Sequence, residues 1–265
     1  MNLTLLKVKK RGNKMHSKKG KIITVTSCKG GVGKSILTMN LAGVFSMMKL
    51  KVLVIDFDLF GGAIATYINS DNDKTIYNLV EDITHNRYKD INNYIYSYNE
   101  NISIISAPRN PKQAYKIDSK YIPLILNNVV YKYDVILIDT THVLNEINLM
   151  LLDNSDKKLF VLNNDIFALK NTKSFFSVIE EIGIKNIYTV LNNSVDPNKN
   201  YFTLYDIKNI IGRNIDFEIP KSMYIKGIDS YLMDGKVLLL NKKITLKKDL
   251  DTFENIAKVL IEGEK

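Results

Sequence analysis

The chain has 265 residues, 45% of them hydrophobic and 25% charged, with a formal net charge of +9. One cysteine excludes a disulfide framework within the chain, and three scattered histidines (His16, His85, His142) offer no zinc constellation. No apolar run reaches the ~18 residues of a membrane span, and no signal-peptide pattern opens the sequence, so the expected location is the cytoplasm.

The positive charge is uneven. Residues 1–21 hold eight basic side chains and no acid, which leaves 29 basic against 28 acidic residues in 22–265. Residues 1–20 show no sustained period and read as a flexible basic arm, with residues 21–265 as one folded domain. Ile22 to Val25 reads as a strand buried on both faces, and Ile36 to Ala42 as a helix. Between them stands Cys28-Lys29-Gly30-Gly31-Val32-Gly33-Lys34-Ser35. Next comes the strand Lys51 to Ile55, ending in Asp56 and turning through Asp58 and Gly61-Gly62 into a short helix ending at Ile68. Ile76 to Ile83 is helical, residues 85–101 carry no clear pattern, and Ile102 to Ser106 is a strand stopped by Pro108 and Pro111.

A helix over 121–131 precedes the apolar strand Asp134 to Ile138, which ends in Asp139. Helix 144–152, strand 158–162, helix 167–182, strand 186–191, helix 203–211 and the short strand 215–220 follow, the last closed by Pro220. Leu246, Leu250, Phe253, Ala257 and Leu260 form a closing helical stripe. Strands alternating with helices predict an α/β fold: a doubly wound, mostly parallel sheet with helices on both faces. Ligands in such a sheet bind at the carboxyl ends of the strands, where residues 28–35, Asp56, Asp58, Asp139 and Asn192 all fall.

Strand, glycine loop and helix start are the setting of a phosphate-binding loop. Gly30, Gly31 and Gly33 let the backbone turn its N–H groups inward, and the helix N-terminus behind them adds donors and dipole. Lys34 then bridges the β- and γ-phosphates of a nucleotide, and the Ser35 hydroxyl holds Mg²⁺. Asp139 fits a carboxylate that holds Mg²⁺ through its waters. Asp56 and Asp58, spaced i, i+2 just past a strand, both face the phosphates from the loop. The competing reading of Asp58 is a cap on the following helix, and that of Asn192 a strand-end turn. Cys28 reads as a small buried strand-end residue and His142 as a loop residue.

The sequence Lys-Gly-Gly-Val-Gly-Lys-Ser, with Lys29 at the head of the loop, resembles the deviant Walker A motif of the MinD/ParA family of P-loop ATPases. The resemblance covers roughly residues 21–262 and implies a P-loop NTPase fold of the SIMIBI type with ATP and Mg²⁺ as cofactors. It implies that Lys29 reaches across a dimer interface to the partner's nucleotide, so Lys29, Lys34 and Asp58 form the catalytic set. Asp58 orients the attacking water, while Asp56 supports the metal shell with Ser35 and Asp139. Residues Lys29 to Ser35, including Val32, and Ile36 line the phosphates; Asn192 reads the adenine edge and Pro220 lines the base pocket. Ile36 stands where a hydroxyl often touches the α-phosphate, and Thr141-His142 replace the usual proline-containing turn.

Asp56 to Gly61, Ala107-Pro108-Arg109, Leu151 to Asp156, and Ile219-Pro220 followed by Gly235-Lys236-Val237 are similar to the TadZ/CpaE branch, which places pilus-assembly (Flp/Tad) machinery. The expected function is a slow, partner-stimulated ATPase: a homodimeric switch that positions such an assembly, or acts in MinD-like localisation, through a protein partner. The alternatives are a ParA-like DNA partition ATPase and a metabolic P-loop amidoligase or synthetase, which leaves Lys29 unexplained. The basic residues of 1–21 suit an anionic membrane or DNA, and the membrane places the chain peripherally at its inner face. A basic amphipathic C-terminal helix is not expected, since residues 246–265 carry Asp249, Asp251, Glu254, Glu262 and Glu264.

Overall fold

A computed structural model describes residues 18–262, except residues 71, 72, 197, 199, 200, 226, 242 and 244. Its first half runs β1 (Lys21–Thr26), α1 (Lys34–Met47), β2 (Val52–Phe57), α2 (Ala63–Tyr67), α3 (Ile76–Thr84), β3 (Tyr96–Ser97), β4 (Ile102–Ile105), α4 (Pro111–Ala114), α5 (Ile122–Val129) and β5 (Val135–Thr140). The second half is α6 (Glu146–Asp153), β6 (Lys157–Leu162), α7 (Ile166–Glu181), β7 (Ile187–Asn192), α8 (Leu204–Ile211), β8 (Phe217–Ile219), α9 (Ile228–Met233) and α10 (Lys247–Glu262).

The eight strands form one sheet in the order β3-β4-β2-β5-β1-β6-β7-β8, parallel except for the antiparallel edge pair β3–β4. Strands β2 and β5 are buried along their whole length, which is why they read as unbroken apolar runs. Alternate residues face opposite layers. Val52 and Val54 pack under α1 and α10 with Leu41, Phe45, Phe253 and Ile256; Leu53 and Ile55 pack against α3 and α5 with Leu79, Ile122 and Leu126. Helix α1 is buried on nearly every side, so its contacts rather than an amphipathic stripe fix its place.

Register positions the site. Asp139 of β5 lies beside Val25 of β1 on one flank and Asp56 of β2 on the other. The loop after β1 therefore leaves the sheet directly above two adjacent carboxylates.

Three expectations need correction. Gly20, assigned to the arm, is buried and donates its N–H to the Val130 carbonyl at 2.7 Å; a Cβ there would lie 2.2 Å from the Tyr133 carbonyl oxygen. Residues 1–17 of the arm lie outside the described residues. The unpatterned stretch 85–101 supplies β3, too short at two residues to show a period. Leu246 is half exposed and precedes α10, whose buried stripe includes Ile256 instead.

Candidate functional site

The residues after β1 turn sharply onto α1. Gly33 sits at φ +90°, in the left-handed region, and a Cβ there would come 2.5 Å from Asn192 Nδ2. Only glycine fits. No side chain caps α1, so its first amides point into the cleft and are available to an anion. The cleft is about 640 Å³; Gly30, Gly31, Gly33, Lys34, Ser35, Ile36, Asp58 and Asn192 line it, with Ile219, Tyr224 and Leu238 on its apolar side.

Lys34 is buried and donates to Ser27 Oγ at 3.0 Å; burial holds its ammonium below the usual lysine range, against the pull of Asp139 and Asp58. The Ser35 hydroxyl donates to Asp139 Oδ2 at 2.5 Å, and Thr38 donates to the other oxygen, Oδ1, at 3.2 Å. Asp139 is fully buried, and that burial pushes its carboxyl up to about 6, opposed by Ser35 and Lys34. Asp56 is buried too, accepting the Asp58 and Ile64 amides at 3.0 and 3.1 Å; burial and the neighbouring Asp139 hold it well above the usual carboxylate range. Asp58, two residues on, reaches the cleft and accepts the Gly61 N–H at 3.3 Å.

Lys29 does not line the cleft; its ammonium pairs with Asp165 Oδ1 at 2.9 Å, so it has a partner within its own chain. Val32 turns its side chain into the core and contributes its backbone. The Asn192 amide donates to the Val32 carbonyl at 2.9 Å, and its oxygen accepts the amide and hydroxyl of Ser194. It therefore props the loop, with one N–H hydrogen left over. Pro220 lies outside the cleft lining, while its neighbours Ile219 and Met223 are part of it. Cys28 is half-buried, with Sγ 3.3 Å from Thr172 Oγ1, and so pins the loop to α7.

Sequence reading missed Ser27, Thr38 and Asp165; His142 stands in a loop, as expected, and that loop lines the cleft. Thr38 carried a signal: it stands three residues after Ser35, hence on the same helix face.

Among the described residues no three His, Cys, Asp or Glu side chains cluster as a metal cage. Mg²⁺ on a nucleotide takes one or two protein oxygens and completes its shell with phosphates and water. Ser35 and Asp139 are the fitting pair. A glycine loop on a helix start, a buried lysine and two strand-end carboxylates define a P-loop nucleotide-binding protein. Residues 20–196 match the AAA domain family, and the chain belongs to it, as a P-loop ATPase of the MinD/ParA type.

An uncharacterized ATP-binding protein of Methanocaldococcus jannaschii is 27% identical over 172 residues, 64% of this chain and 64% of its own length. A ParA family ATPase from Chlorobium tepidum superposes with a TM-score of 0.78 at 18% identity, covering 89% of this chain and 98% of that one. The septum site-determining protein MinD of Pyrococcus horikoshii, complexed with Mg-ADP, gives 0.75 at 23% identity, over 92% and 96%.

Proposed function

We propose that the protein binds Mg-ATP, dimerises on it, and hydrolyses it slowly to switch a positioned assembly on and off. In this reading Lys34 and the loop amides neutralise the phosphates, Ser35 and Asp139 hold Mg²⁺ with Asp56 behind them, and Asp58 orients the attacking water. When bound, Mg²⁺ supplies charge neutralisation at the β- and γ-phosphates. The carrying observation is Lys29: it lies outside its own cleft, at the rim, with 39% of its side chain exposed, while Lys34 already serves that cleft. A second lysine so placed is free to serve a partner's nucleotide once it leaves Asp165.

The cargo is a TadZ/CpaE-like pilus assembly or a MinD-like localised machine, reached through a protein partner. No described helix is long and apolar enough to cross a membrane. Contact with an anionic surface would fall to the basic residues of 1–21 and put the chain at the membrane periphery. Light scattering with a non-hydrolysable ATP analogue tests the switch. The native chain should double in mass; Lys29→Ala should bind the analogue and stay monomeric; Lys34→Ala should not bind it. A Lys29→Ala protein that still dimerises overturns the trans role.

A further inference from the structure

His142 faces the nucleotide cleft. It stands just past β5, in the turn after Asp139, and is exposed on the cleft side. Its Nδ1 lies 3.6 Å from the point where a Cβ on Gly30 would sit. Among the described residues neither ring nitrogen has a hydrogen-bond or ion-pair partner. The other polar groups of the rim are engaged: Lys29 with Asp165, Ser35 with Asp139, Asn192 with Val32.

Position along the loop says which part of a nucleotide the imidazole meets. Gly33 and Asn192 adjoin each other at the end of the cleft that holds Ile219, the register partner of Asn192. Gly30 and His142 form the lip three residues back along the loop. A phosphate chain laid over the α1 amides, with Lys34 at its β- and γ-groups, brings its terminal group toward that lip. An imidazole N–H next to a phosphate oxygen makes a charge-assisted hydrogen bond, and the bond exists only when a third phosphate is present.

We propose that His142 donates to the terminal phosphate of ATP and makes the site prefer ATP to ADP. The proposal rests on the Mg-ATP reading above. A bland loop histidine, solvated and idle, is the alternative, and binding separates the two.

Titration calorimetry with Mg-ADP and with the Mg complex of β,γ-imido-ATP tests it on native protein, His142→Ala and His142→Gln. His142→Ala should lose about five- to tenfold in affinity for the triphosphate analogue while ADP stays within about twofold. His142→Gln keeps an N–H donor and should recover most of the loss. Equal losses for both nucleotides, or none for either, overturn the proposal. Repeating the comparison on a Lys29→Ala background takes dimerisation out of the reading. The triphosphate-selective loss should persist there, and its disappearance also overturns the proposal. If native protein binds neither nucleotide, the Mg-ATP reading itself fails, an outcome distinct from a failure of His142.

Discussion

Lys29 Nζ lies 2.9 Å from Asp165 Oδ1, and that same oxygen accepts the Ala168 N–H at 3.0 Å as the cap of α7. Asp165 is held below the usual carboxylate range first by the Ala168 amide and then by Lys29. The lysine is therefore tethered to the start of a long helix. A partly exposed pair of this kind is worth about 0.5–1 kcal/mol, and crossing to a partner's nucleotide means giving it up. Asp165→Asn keeps a capping oxygen and removes the charge. The expected result is dimerisation on the ATP analogue about two- to fivefold tighter than native, read by sedimentation equilibrium. Weaker dimerisation would instead make Asp165 a residue that aims Lys29.

Asp58 touches the cleft but holds only the Gly61 amide, at the long distance of 3.3 Å, whereas Asp56 braces two amides from within the core. Removing Asp58 should thus spare the phosphate cradle. Asp58→Ala is expected to bind Mg-ATP and dimerise with native affinity while turnover falls by a factor on the order of 100. Turnover at the native rate would move the water-orienting role to another group.

The buried carboxylates Asp56 and Asp139 show how much was legible in the sequence. Asp56 and Asp139 stood out because each ends a run of apolar residues buried on both faces, a pattern that fixes strand, face and end at once. The glycine loop was equally plain. Asp165 and His142 were not: Asp165 meets Lys29 across more than a hundred residues of chain, and His142 comes near Gly30 only in the folded loop. The described residues of 221–245, which wall the apolar side of the cleft through Met223, Ile228 and Leu238, include only short helical turns. Such turns are too brief to display a period.

The basic arm can be tested by deletion. Gly20 belongs to the fold through its hydrogen bond to Val130, so deletion should stop at residue 17. The shortened chain is expected to melt within about 1 °C of native and to keep nucleotide binding, because no sheet register is disturbed. Co-sedimentation with anionic vesicles and DNA gel shifts, each over a salt series, then report what the arm adds. On DNA each neutralised phosphate should contribute about 0.9 to the slope of log affinity against log salt. Identical behaviour of both chains in both assays would leave the arm without a binding role.

Asp139 makes the last prediction, on pH. Its carboxyl is pushed up to about 6 by burial, against 3.8 for an ordinary aspartate. Between those values the folded chain holds a proton that the unfolded chain releases. The group therefore favours the fold at low pH, and that contribution is lost as pH rises from about 4 to about 6, by up to ~3 kcal/mol. Asp139→Asn mimics the protonated form at every pH. In EDTA, the Tm of the variant minus that of native protein should rise across this window and level off above it. A difference that stays constant from pH 4.5 to 7.5 would show that the buried carboxyl is not the cause. Mg-nucleotide favours the charged carboxylate, so the Tm gain from Mg-ADP should grow with pH in native protein over the same range. The Asn variant, with no charge to offer the metal, should show no such growth.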